Sequence, residues 1–414
     1  MALWTCGFEA GDTSYYSDLG WTFLGDANTQ VITTAGRQHS SFNGRGGSRS
    51  VNLSDDMVSP SFGTGGRWLH FWMEALPVGS SPVSFGVEFW RNGLPNCSVR
   101  VNSTGTMDFR RGNFNGSILG SAGSFHASIA HWWAIEVVCA NSAGLMRVYI
   151  DGVLAGEITS VDTQNTPLAD WDQISIQANN LGVAFDDFIV TTGTEGRLGE
   201  HFLTSLIPDG NDSIGSGVGS TGGAGSFTNV NEIPPDDGTT YNEFTAAGTD
   251  RYTTGNLSFT PASIHSVTVL GKAARDGVIT QAQTVCATDS QGGGVTETLG
   301  AVTGLGAAGV YVPWQDVFIT DPDTSTAILA VTVGVGGNFD VAGDLTGTIV
   351  NGSTIEVTGS TGNDGFYKVA STSFVTNTTI VVEGTVPSGT VDGNITYNFT
   401  GSALNDLRIG VKFS

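Results

Sequence analysis

Lysine is almost missing from this chain: only Lys272, Lys368 and Lys412 occur in 414 residues, none of them in the first half. Acids outnumber bases 39 to 16, a formal net charge of −23. The first 200 residues hold 19 of the acids and 10 arginines; the remainder holds 20 acids and 6 bases. A surface of that sign repels phosphate, so neither nucleic acid nor an anionic membrane is expected as a partner. Long apolar runs are lacking too, and no stretch approaches the roughly 20 residues of a membrane span. Met1 to Thr5 carries no basic residue and no long apolar run follows. No secretory leader is therefore expected, and the chain is read as made in a host cytoplasm. Cysteine is sparse: Cys6, Cys97, Cys139 and Cys286 show no Cys-x-x-Cys or Cys/His spacing. Three pairings are open to four cysteines and nothing favours one, so buried free thiols are expected.

Helical periodicity is the remaining absence. The 59 glycines follow no period, which excludes collagen, and 39% hydrophobic residues exclude a disordered chain. What accompanies glycine is Thr, Ser, Val, Asn and Phe, the vocabulary of short strands and tight turns. The expected class is all-β: an N-terminal jelly-roll β-sandwich, then a C-terminal β-sandwich domain carrying a small inserted β-module. The clearest strands are WLHFWMEAL (68–76), VSFGVEFWRNG (83–93), SVRVNSTGTMDFR (98–110), HWWAIEVVC (131–139) and LMRVYIDGVLAGEI (145–158). In the last, Met146, Val148 and Ile150 share one side, and Asp151-Gly152 supplies a hairpin turn.

Trp132-Trp133 before an apolar strand, then RVYIDG (147–152), then FDDFIV (185–190), resembles laminin-G-like or concanavalin-A-like jelly rolls. The opening CGFEAGD (6–12) fits, because the first strand of such folds pairs beside the last. This resemblance covers residues 1–198. Further on, NEIPPDDGTTYNEFTAAGTDRYTTGNLSF (231–259), SIHSVTVLGKAARDG (263–277) and VFITDPDTSTA (317–327) resemble the C-terminal module of tailed-bacteriophage structural proteins. ALNDLRIGVKFS (403–414) matches the tail of that module, although Phe227-Thr228 stands where the family has Trp-Thr. Between them, residues 335–397 alternate, with Val341, Ile355, Val357, Tyr367, Val369, Ile380 and Val382 apolar. The GSTGNDGFYKV core (359–369) resembles a β-module inserted in phage virion proteins. We therefore expect a discontinuous C-terminal domain over 231–334 and 398–414. The Gly/Ser-rich stretch 199–230 reads as a connector, either flexible or ordered against a neighbouring subunit.

Chemistry-bearing patterns are few. No E-x-D-x-x-E pair of carboxylates occurs, and Glu74, Glu88 and Glu136 stand alone on their strands. No metal-binding histidine spacing, nucleophile elbow, phosphate loop or dinucleotide fingerprint appears. The expectation is a non-enzymatic virion protein on the particle exterior. The favoured form is a compact tail-fibre or adhesin appendage, trimeric, contacting other virion proteins and binding host surface glycan. A head fibre or capsid decoration is the alternative; a bacterial carbohydrate-binding or polysaccharide-degrading protein is the rival class. The jelly-roll resemblance implies a possible Ca²⁺ site, for which Asp186, Asp187 and Asp151 are candidates, with Asp170 and Asp172 beside them. Trp68, Trp72, His70 and Trp90 are the candidates for a glycan-stacking patch, the first three sharing one strand face.

Overall fold

A computed structural model gives the structure. It describes residues 2–6, 19, 21–23, 31–33, 50–53, 57–63, 65–75, 84–124, 131–178, 183–192, 197, 198, 201, 203, 206–214, 217–219, 226–231, 241–244, 246–256, 264, 266–275, 280–288, 295–305, 307, 308, 311–318, 325–351, 353–397 and 407–414. No α-helix occurs among them, and the chain divides into two compact units, Leu3–Ser205 and Leu206–Ser414. The all-β class is as expected.

In chain order the first unit is built from β1 (Ala2–Cys6), β2 (Thr22–Phe23), β3 (Val31–Thr33), β4 (Ser50–Leu53), β5 (Met57–Val58), β6 (Trp68–Ala75), β7 (Phe85–Arg91), β8 (Leu94–Val101), β9 (Thr106–Arg111), β10 (Ser117–Ser124), β11 (His131–Val138), β12 (Gly144–Ile150), β13 (Val153–Val161), β14 (Gln173–Ala178) and β15 (Val183–Thr191). They form two antiparallel sheets. Sheet one runs β13-β12-β11-β6-β15-β4-β3, with β1 also on β15; sheet two runs β10-β9-β8-β7-β14-β5-β2. The chain crosses between the sheets from β4 to β7, from β10 to β11 and from β13 to β15, while β7–β10 and β11–β13 run as meanders within one sheet. The first strand does pair beside the last, although residues 7–12 of CGFEAGD lie outside the described residues.

Alternation explains the core. Leu69, Phe71 and Met73 of β6, Trp133, Ile135 and Val137 of β11, and Phe185 of β15 point inward from sheet one. Phe85, Val87 and Phe89 of β7, Val99 of β8, Phe109 of β9 and Ile174 of β14 meet them from sheet two. Asn92-Gly93 and Asp151-Gly152 both have positive φ (50° and 73°, 49° and 80°), as two-residue primed hairpin turns require. All four cysteines are buried, and Cys97 and Cys139 sit with Sγ atoms 3.8 Å apart in this core. The neighbouring Cys139 thiol and burial together push the Cys97 thiol well above its usual range. A thiol reagent should therefore label none of the four in the native protein and all four in denaturant. Fast native labelling at Cys97 would contradict the burial.

The second unit holds a sheet of Pro208–Ile214, Gly248–Thr254, Arg408–Phe413, Gln281–Thr288 and Thr296–Leu299 in that order, with Thr303–Gly304 also on Gln281–Thr288. The C-terminal strand Arg408–Phe413 thus lies between strands from the 240s and 280s. Part of the stretch read as a connector is structure instead. Pro208–Ile214 pairs with Gly248–Thr254, and Asp212 on it holds both Arg251 (2.9 Å) and Arg408 (3.0 Å). Residues 232–240 and 320–324 of the phage-like segments lie outside the described residues.

The inserted module is a closed six-stranded barrel of Thr326–Thr332, Asn338–Ala342, Asn377–Glu383, Gly365–Phe374, Thr354–Thr358 and Asn394–Tyr397. It begins about ten residues before 335, because Thr326–Thr332 is a barrel strand. The alternating residues read from sequence form its core: Val341, Ile355, Val357, Val369, Ile380 and Val382 are buried and Tyr367 packs against them. Its entry and exit strands pair, Thr326 with Ile395 and Ala327 with Asn394, so the insertion leaves and re-enters the host domain side by side. The Gly-Asn-Asp-Gly stretch 362–365 is a turn stapled by Asn363, whose amide exchanges two 2.9 Å bonds with the Ser388 backbone.

Candidate functional site

The two outer faces of the N-terminal sandwich differ. On sheet one, register lines up three rows. Asp186, Trp72 and Trp132 form the first; Ile189, His70, Ala134 and Tyr149 the second; Thr191, Trp68, Glu136, Arg147 and Glu157 the third. Trp68, His70 and Trp72 share this face as alternation predicts, but they are 7%, 1% and 2% exposed. The chain after β15 seals it. Arg197 stacks on Tyr149 (4.5 Å), and the Leu198 N–H donates to His70 Nε2 (3.0 Å), which leaves a neutral ring's proton on Nδ1. His201 packs on Trp132 (4.7 Å) and His70 (5.7 Å), and the Leu203 N–H donates to Asp187 Oδ1 (2.6 Å). This face is an internal seam, and these three side chains do not offer a stacking surface.

The aspartates named for calcium are engaged separately. Asp151 takes His131 Nδ1 (2.5 Å) and the Trp132 N–H (2.9 Å). Asp186 accepts from the Asp187 N–H (2.8 Å), and Asp187 sits at φ 54° in a bulge of β15. Three strand spacings, roughly 14 Å, separate Asp186 from Asp151. Asp170 and Asp172 lie just before β14 of the other sheet, and Asp172 binds Arg91 (3.0 Å) and Ser61 (3.3 Å). Among the described residues, no three His, Cys, Asp or Glu side chains come together as a metal would need.

Sheet two presents an outer face of different character. One row carries Gln177, Gly86, Arg100, Asp108 and Ser121; the next carries Val58, Ser175, Glu88, Ser98 and Arg110; Gln173 and Trp90 begin a third. Nearly every side chain is polar, and each alternates with a core residue of the same strand. Glu88, 3% exposed, accepts from Trp90 Nε1 (2.7 Å) and from the Phe114 N–H (2.8 Å). Asp108 accepts from Arg110 (2.9 Å) and from Ser121 Oγ (2.8 Å).

The β9–β10 loop folds back over part of this face. Phe114 lies on Gly86, where a Cβ would meet its ring at 2.2 Å, so only glycine admits the loop there. Trp90 remains partly exposed and is held by its bond to Glu88. Of the four side chains expected to stack on sugar, Trp90 alone lies on this face. Glu88, Ser98 and Asp108 are buried beneath this face, and its partly exposed members Arg100 and Gln173 were not singled out from sequence as ligand groups. Their signal was polar residues at every second position of three consecutive strands.

No family model and no curated protein matches the chain. Solved structures do. The endo-β-1,4-glucuronan lyase of the fungus Trichoderma reesei is 10% identical, covering 47% of this chain and 97% of its own, at a TM-score of 0.34. The Caenorhabditis elegans galectin LEC-6 is 11% identical, covering 41% and 99%, at 0.24. The Bacillus licheniformis β-glucanase is 13% identical, covering 42% and 91%, at 0.27. The likeness reaches the fold alone. It does correct one expectation: a lyase and a glucanase stand among the similar chains, so a non-enzymatic character is not kept. Fold and faces together define an all-β protein whose N-terminal unit is a jelly-roll sandwich with one sealed and one polar outer face.

Proposed function

We propose that this protein is displayed on the exterior of a bacteriophage particle and binds host surface glycan through the outer face of sheet two. The observation that carries the binding reading is that face: the partly exposed polar side chains of Arg100, Arg110 and Gln173 on adjacent strands with a partly exposed Trp90. Sugars offer hydroxyls to such groups and an apolar ring face to an aromatic. The virion reading rests on the likeness of segments 231–259 and 403–414 to phage structural modules. Its form is a trimeric tail-fibre or adhesin appendage docked on other virion proteins.

The binding test is a glycan array followed by attachment to host cells. Trp90→Ala and Gln173→Ala should each lower binding at least tenfold with the fold intact. Undiminished binding by both variants would move the site elsewhere. Immunogold labelling of particles tests the placement. Label at the tail supports the appendage, label over the head replaces it with a decoration protein, and no label with an antibody to the native protein ends the virion reading.

A further inference from the structure

Four arginines project from β7, β8 and β9 of sheet two, and three have a carboxylate. Arg91 pairs with Asp172 (3.0 Å), Arg110 with Asp108 (2.9 Å) and Arg111 with Asp162 (2.5 Å). Arg100 has none within 4.0 Å among the described residues, in a chain where acids outnumber bases 39 to 16. It stands between the core residues Val99 and Val101, so its guanidinium lies on the polar outer face, half-buried. Among the described residues its one polar contact is the Phe114 carbonyl at 3.4 Å, which leaves most of its five donors unmatched there.

Two neighbours share the deficit. Ser98 Oγ, on the same strand face two residues away, is fully buried without a partner, and so is Nε of Arg110, which faces Ser98 across the β8–β9 pair. Unmatched buried polar groups of this kind are unfavourable. Asp108 stands opposite Arg100 in register but is taken by Arg110 and Ser121, so Arg100 is left as the accessible donor, and a planar guanidinium takes a carboxylate through two parallel bonds. The net charge of −23 adds a second restriction. It repels a densely charged polymer at long range but leaves short-range pairing at one arginine intact.

We propose that Arg100 anchors the carboxylate of an acidic sugar, making the glycan of this face a carboxylate-bearing one. The inference rests on the glycan-binding reading above and adds the chemical class of the ligand. Arg100 is the accessible member of the patch, and Trp90 and Gln173 lie one and two strands away and about 13 Å along the strand direction, a spacing that suits a neighbouring sugar of the same glycan chain.

The experiment is an array carrying uronate- and sialate-containing glycans, each beside its carboxyl-reduced counterpart, probed with the full chain. Carboxyl reduction should weaken binding at least tenfold. Arg100→Gln should abolish that difference while leaving binding of the neutral counterparts, and Arg100→Lys should retain part of it. Unfolding midpoints of both variants, unchanged from the parent, separate ligand contact from support of the Phe114 loop. Glycans bound equally in acidic and reduced form overturn this inference alone. A preference surviving Arg100→Gln overturns it as well, and no glycan bound at all overturns it together with the binding reading.

Discussion

Trp133→Ala should destabilise the N-terminal unit by about 3–5 kcal/mol. The indole is 2% exposed at the centre of the sandwich, stacked on Phe71 (5.9 Å, 11°) and edge-on to Phe85 (5.3 Å, 86°). It therefore touches both sheets at once. Alanine leaves a void lined by aromatic rings, which interdigitate too tightly with their other neighbours to collapse into it. For a unit of about 200 residues that loss corresponds to roughly 6–20 °C in Tm. Eight of the nine tryptophans precede residue 206, so intrinsic fluorescence follows this unit. A shift below about 3 °C would show that Trp133 does not bridge the sheets.

The second large effect is Glu88→Ala. Two opposing terms decide its sign. Burying a carboxylate is unfavourable, which would make its removal stabilising. Against that, Glu88 accepts two short bonds from donors that nothing else satisfies once it is gone, the Trp90 indole and the Phe114 amide. Bonds to a charged acceptor contribute about 1.5–3 kcal/mol each, and the orphaned donors lose their solvation as well. The second term wins, and urea unfolding should show a loss of about 3 kcal/mol. Glu88→Gln, which keeps one acceptor oxygen, should lose about half as much. A neutral or stabilising Glu88→Ala would mean that the Phe114 loop is not held by this carboxylate.

How much of this was legible follows from where each cause lies in the chain. The barrel core from Val341 to Val382 was readable because one face of every strand is apolar, a property local to a few residues. The shared face of Trp68, His70 and Trp72 was equally local. Its burial was not, because the cover comes from Arg197, Leu198, His201 and Leu203, more than 120 residues downstream, in a stretch without apolar periodicity. The outward side of Glu88 is local as well, since it stands between the core residues Val87 and Phe89. Its enclosure depends on a loop near position 114 that Gly86 admits, and no pattern around Glu88 announces it. Composition misled once: glycine and serine around 208–230 signalled coil, yet Pro208–Ile214 is an edge strand secured by two arginines from distant segments. The early start of the barrel was hidden likewise, since Thr326–Thr332 shows no alternation sharper than its surroundings.

The neighbouring ends of the barrel also have a mechanical meaning. Tension applied at the C-terminus is met first by Arg408–Phe413, which is hydrogen-bonded along both edges to Gly248–Thr254 and Gln281–Thr288. The barrel hangs off that load path as a closed loop, so it carries no force while the strand stays seated. Once the strand is pulled free, force enters through Thr326–Thr332 and leaves through Asn394–Tyr397, two strands that lie side by side. Such a pair opens bond by bond like a zip, at lower force than strands sheared together. In a single-molecule stretching trace the barrel should therefore yield after the sheet and more softly, acting as a reserve of length behind a stiff first stop.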